Sequence, residues 1–136
     1  MLRNVETLGL YLHLARASEL RRRLPVRDRL LVLAAAIATE QGLARVAAYC
    51  RHRVLEHNPK HLLQQWTTMA EALRDEDFRH FLARLQRRYP PEKAETMLES
   101  LGIETGNERA AYYSDEEYAA ALLGVSPQRL SEMYGD

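Results

Sequence analysis

Residues 52–61 hold His52, Glu56, His57 and His61, side chains of the types that bind zinc or iron. His52 and Glu56 lie four apart and share one face of a helix. Asn58–Pro59 then interrupts that helix, because a proline restrains the residue before it from helical geometry. The spacing of His57 and His61 therefore does not put them on one face. A complete site would need a further ligand, with His13 and His80 as the available histidines. The matched registers of Glu- and His-bearing helices that build a di-iron bundle are absent. The competing reading is a set of ordinary histidines around a helix junction, one of them capping carbonyls. The sequence implies no cofactor.

Cys50, the sole cysteine, would need a base within hydrogen-bonding reach to act as a nucleophile. His52 is two residues on, which in a helix turns it away. Cys50 instead shares an apolar face with Val46 and Val54 and reads as a small buried hydrophobe.

The basic side chains cluster at Arg16, Arg21, Arg22, Arg23, Arg27 and Arg29, around the first helix junction. Lysine appears only at Lys60 and Lys93. Phosphate or other polyanion contacts use such clusters. A solvated face paired with carboxylates uses them equally well. Formal charge is zero overall, but residues 1–60 are net basic and residues 61–136 net acidic. Such a split would steer an anionic partner, join the two halves, or bring two copies together head to tail.

The segment from Asp115 to Tyr134 has the rhythm of two helices around a tight turn. Leu122–Leu123–Gly124–Val125–Ser126–Pro127 resembles the turn of DNA-binding helix–turn–helix units. That resemblance implies that the second helix would present Gln128, Arg129 and Ser131 to a groove. The acidic surroundings (Asp115, Glu116, Glu117, Glu132) favour a structural hairpin or a protein-docking arm. Tyr112, Tyr113 and Tyr118 beside these carboxylates suit a protein interface, where tyrosine gives contact area at low entropic cost.

Helical periodicity runs through nearly the whole chain, and no stretch alternates with period two. Helices are expected over 4–23, 26–41, 43–57, about 59–74, 75–89, 91–101, 115–123 and 127–134. The first carries two apolar stripes and should be covered on two sides. The second, with Ala34–Ala36, should be the most buried. Asn58 is expected to cap the fourth helix with Pro59 at its first position, and Leu62, Trp66, Met69 and Leu73 to face inward. Leu98–Gly102–Ile103 fits a Schellman ending, and Ser114 with Glu117 a capping box.

These elements describe an all-α, irregular multi-helix bundle of about six to eight short helices with a C-terminal helical hairpin. One domain spans 1–136, with a subdivision conceivable near 58–59. The longest apolar run, Leu30–Ala38, is too short to cross a bilayer. Glu6 and His13 interrupt the N-terminal apolar stretch, so it reads as a structural helix rather than a leader. A lone cysteine fits a reducing compartment, and the chain is expected to be cytoplasmic. With no converging catalytic set, the leading functional expectation is a protein-interaction or structural module, through a protein partner or self-association. A nucleic-acid-binding protein using the Arg16–Arg29 patch or the tail, and a metal-binding protein or enzyme using His52–His61, are the alternatives.

Overall fold

The computed structural model describes residues 4–103 and 108–135. Among these the regular elements are all helical, with eight α-helices and no strand. They are α1 (Val5–Leu20), α2 (Leu24–Glu40), α3 (Ala44–His57), α4 (Met69–Arg74), α5 (Glu76–Arg88), α6 (Pro91–Ser100), α7 (Asp115–Leu123) and α8 (Pro127–Tyr134). Short 3-10 turns occupy Leu62–Gln65 and Glu108–Ala111.

The core is built around α2. Every residue from Leu30 to Ala38 is buried, because α1 and α3 run along its flanks while α4 and α5 close further sides. The small Ala34–Ala36 stretch permits close approach of its neighbours. The two apolar stripes of α1 are likewise both used: α2 packs on α1, and α6 and α7 also lie against it. Tyr11 on α1 donates to the backbone oxygen of Tyr89 beyond α5 (2.5 Å). A single apolar cluster extends from Leu8 on α1 to Leu130 on α8.

Helix ends follow local chemistry. Asn4, Thr68, Asp75, Ser114 and Ser126 each accept a hydrogen bond from a backbone N–H in the first turn of the helix that follows. The Schellman ending of α6 is present, with Ile103 N–H donating to Leu98 O (3.0 Å).

The expected fourth helix over 59–74 is not continuous. It divides into the 3-10 turn Leu62–Gln65 and the short α4, with Trp66 in an extended conformation between them. Three local bonds compete with helical continuation here. The Asn58 side chain turns onto Lys60 N–H rather than capping a helix. His61 Nδ1 accepts from Leu63 N–H (3.1 Å). Thr68 then opens α4 by accepting from Glu71 N–H. Trp66 is half-buried, edge-on to Phe78 at 5.5 Å, and its carbonyl is taken by Arg51 (2.7 Å). The second helix begins at Leu24 rather than at 26, with Pro25 in its first turn, where its missing N–H costs nothing.

Candidate functional site

Helix α1 ends at Leu20 instead of continuing through the arginines. Arg23 N–H reaches back to Ser18 O (2.8 Å), closing a Schellman turn with Arg22 at φ +60°. The α2, α6 and α7 ends close with the same long bond, but there Gly42, Gly102 and Gly124 occupy the left-handed position. Arg22 is the one described non-glycine residue with positive φ. An L-residue there costs roughly 1–2 kcal/mol relative to glycine, so the arginine occupies a place that backbone energetics would give to another residue.

This turn projects an unusual surface. Arg21, Arg22 and Arg23 are exposed and make no ion pair with any described residue. Leu20, which precedes them, is 76% exposed, the one exposed large aliphatic side chain among the described residues. A groove lies on each side of the end of α1. One, of about 380 Å³, has Leu14, Ala17, Val26, Met97 and Leu101 along it. Arg21, Arg23 and Lys93 stand around that groove, whose lining includes no carboxylate. The other, of about 340 Å³, lies between Leu20, Leu122 and Leu123 and contains Glu19, Arg27 and Arg53.

A polar junction fixes the corner from inside. Arg27 and Asp28, at the start of α2, are 6% and 5% exposed and bonded to each other (3.0 and 3.2 Å). Arg27 also binds Glu19 on α1 (2.7 Å) and the Arg53 carbonyl on α3 (3.3 Å). Arg53 binds the same Glu19 oxygen (2.6 Å), and His57 Nδ1 contacts the second Asp28 oxygen (2.5 Å). Three helices thus meet on one charge-paired knot, the situation in which buried ions are tolerated. Burial raises the Glu19 pKa, but bonds from Arg27 and the field of Arg53 outweigh it and hold the carboxyl below its usual value. Burial opposes the charge of Arg27 too, and Glu19 with Asp28 more than restore it.

The structure therefore divides the arginine patch. Arg16 and Arg21–Arg23 are exposed, Arg29 is half-buried, and Arg27 is 6% exposed with its guanidinium committed to Glu19 and Asp28. The histidine constellation does not converge. His57 is engaged by Asp28, His61 caps the 3-10 turn, and His52 faces Glu56 at 3.4 Å. His13 pairs with Glu108 and His80 with Glu76. Among the described residues no three His, Cys, Asp or Glu side chains form a metal-holding group. Cys50 is fully buried, and burial pushes its thiol up to about 12 despite the opposing charge of Arg53.

In the tail, α8 packs on α3, and Arg45 clamps Glu116 through two bonds of 2.8 Å while binding Gly135 O. Gln128 and Arg129 are exposed, Arg129 lying 3.8 Å from Glu132, and Ser131 is half-buried. The tyrosines separate: Tyr113 is 94% exposed, Tyr112 half-buried, and Tyr118 buried with its hydroxyl on Glu108 (2.7 Å). A larger groove of about 480 Å³ lies between α3, Met69 and Tyr134. Arg45 is bonded there to Glu116, Arg51 donates one N–H to Trp66 O while its Nε is buried without a partner among the described residues, and His52 lies 3.4 Å from Glu56. That difference directs attention to the α1–α2 corner. Leu20 was not singled out by sequence pattern, although it falls outside both apolar stripes and directly precedes three arginines.

Comparison with protein-family models, with curated proteins and with solved structures found no match to this chain.

Proposed function

We propose that this chain is a protein-interaction module whose contact surface is the α1–α2 corner. The observation that carries the reading is Leu20, 76% exposed and followed in the chain by three exposed arginines with no partner among the described residues. An isolated exposed leucine is ordinary. One set in a rigid turn, flanked by grooves and unpaired cations, has the aliphatic anchor and charged rim of a binding surface. Arginine suits such a rim because its planar fork meets carboxylates with two parallel bonds. The buried knot beneath holds the corner in place, so little conformational freedom would be lost on binding.

Photo-crosslinking from position 20 in the source cells tests this, with position 113 as an exposed control. A discrete protein adduct at position 20 and none at 113 supports the reading. Copurified nucleic acid, absorbing at 260 nm and leaving at high salt, with no protein adduct, overturns it in favour of polyanion binding through Arg16 and Arg21–Arg23.

A further inference from the structure

We infer that the groove between α1, α2 and α6 receives an acidic amphipathic helix from a partner protein. The inference rests on the interaction-module reading and names the partner's chemistry. The floor, Leu14, Ala17, Val26, Met97 and Leu101, offers apolar contact but no charge. Arg21, Arg23 and Lys93 border it, and none has a carboxylate partner among the described residues. A ligand matching both must be apolar along one face and anionic at its edges. An amphipathic helix with leucines at i, i+3/i+4 and i+7 and flanking glutamates has that form. The α6 wall is ten residues long, so about three turns of partner helix would lie along it.

Other occupants fit less well. A second copy of the chain brings Leu20, Tyr113 and Tyr134 as its exposed large apolar side chains among the described residues, and these stand singly rather than in a row along one helix face. A bilayer surface touches convex points such as Leu20 but not the floor of a groove. Nucleic acid would use the arginines and leave the apolar floor unfilled. Arg22 adds a separate indication. It stands between the two arginines that border this groove, in the left-handed backbone position that glycine takes at three other helix ends, and strained positions of this kind concentrate at binding sites.

The test is fluorescence anisotropy of the full chain with a labelled 14-residue peptide carrying leucines on one face and glutamates beside them. Saturable binding is expected. It should weaken at least tenfold in Arg21→Glu/Arg23→Glu and in Ala17→Glu, each checked for native helicity. Gln64→Glu, exposed on the 3-10 turn and outside both grooves, should leave it within twofold. A scrambled peptide of the same composition should bind at least tenfold more weakly. Equal binding of the scrambled peptide overturns the proposal, because charge alone would then suffice. So does tighter binding of a 20-mer single-stranded DNA or of phosphatidylserine vesicles. If position 20 crosslinks to a protein but the peptide does not bind, the groove proposal fails and the module reading stands. If position 20 yields no adduct while the peptide binds as expected, the groove stands as a peptide site and the wider reading fails.

Discussion

Gly9 on α1 and Tyr118 on α7 are in direct contact: a Cβ on Gly9 would overlap the Tyr118 hydroxyl and lie 3.0 and 3.1 Å from its ring carbons. The tyrosine is 3% exposed, lies tilted against Tyr112 with ring centres 5.5 Å apart, and donates to Glu108, which also meets His13. The absent side chain lets α7 lie close to α1. Gly9→Ala should therefore destabilise the fold by about 1–3 kcal/mol through overpacking, although alanine is the better helix former by about 1 kcal/mol. Tyr118→Phe removes the nearest atom and should recover part of that loss in the double variant. Urea denaturation of the four proteins in the cycle measures this. Strict additivity would exclude the contact as the cause.

Asp28 is predicted to be the most sensitive charged position. Its carboxylate lies between Arg27 and His57, with 7% side-chain exposure. Asp28→Ala leaves a buried guanidinium with Glu19 as its remaining carboxylate, a change expected to cost about 3–5 kcal/mol. Asp28→Asn keeps the shape and an acceptor oxygen and should cost less. Chemical denaturation ranks the two, and equal midpoints for Asp28→Ala and the parent would refute the structural importance of the knot.

Much of the bundle is visible in periodicity because each helix buries one face or two. Helices 115–123 and 127–134 have the expected limits, set by Ser114, Gly124, Ser126 and Pro127. The failure at 59–74 has a local origin. Leu62, Trp66, Met69 and Leu73 keep helical spacing, but polar side chains at 58, 61 and 68 offer the backbone closer partners than the next turn would. The knot was less legible. Arg27 and Asp28 look like surface residues in a charged run, and their burial follows from α3 crossing over them, which no local pattern encodes. Likewise His57 and His61 are near in sequence but engaged by different elements.

Acid should weaken the fold through two groups. Glu19 has a folded pKa below its ordinary 4.5. Its contribution is complete above that value and is lost as pH falls through the lower folded one, since the unfolded chain binds the proton first. His61 is lowered from 6.5, mainly by burial, against a smaller raising effect of Asp28. Its neutral form is the one that accepts from Leu63 N–H, so its contribution declines as pH drops below 6.5. His61→Asn retains a capping acceptor without titrating. Relative to the parent it should lose less stability between pH 7 and about 5, while Glu19→Gln should flatten the slope below 4.5. Thermal melts across pH measure both differences, and identical slopes in parent and variant would rule out either assignment.

Cys50 should be inert in the folded protein. Its side chain is 0% exposed and its thiol is pushed up to about 12 by burial, so at neutral pH neither access nor thiolate is available. Ellman's reagent should label it only at the rate of global opening, rising to one equivalent in denaturant. Fast native labelling would contradict the packing of α3 against α2.

Arg22 yields the sharpest prediction, because backbone and surface pull in opposite directions there. At φ +60° an arginine carries strain that glycine lacks. Arg22→Gly should stabilise the chain by about 1 kcal/mol, raising Tm by about 3 °C for a domain of this size. Arg22→Ala removes the same charge but keeps a Cβ in the left-handed position, so it should give no such gain. The pair separates relief of strain from relief of repulsion among Arg21, Arg22 and Arg23. If both variants raise Tm equally, like-charge repulsion is the cause and the backbone is relaxed. If glycine alone stabilises while peptide affinity falls at least threefold in both, the arginine is retained for binding at the expense of the fold. A stabilised Arg22→Gly with unaltered affinity would leave the strained turn without a role in recognition.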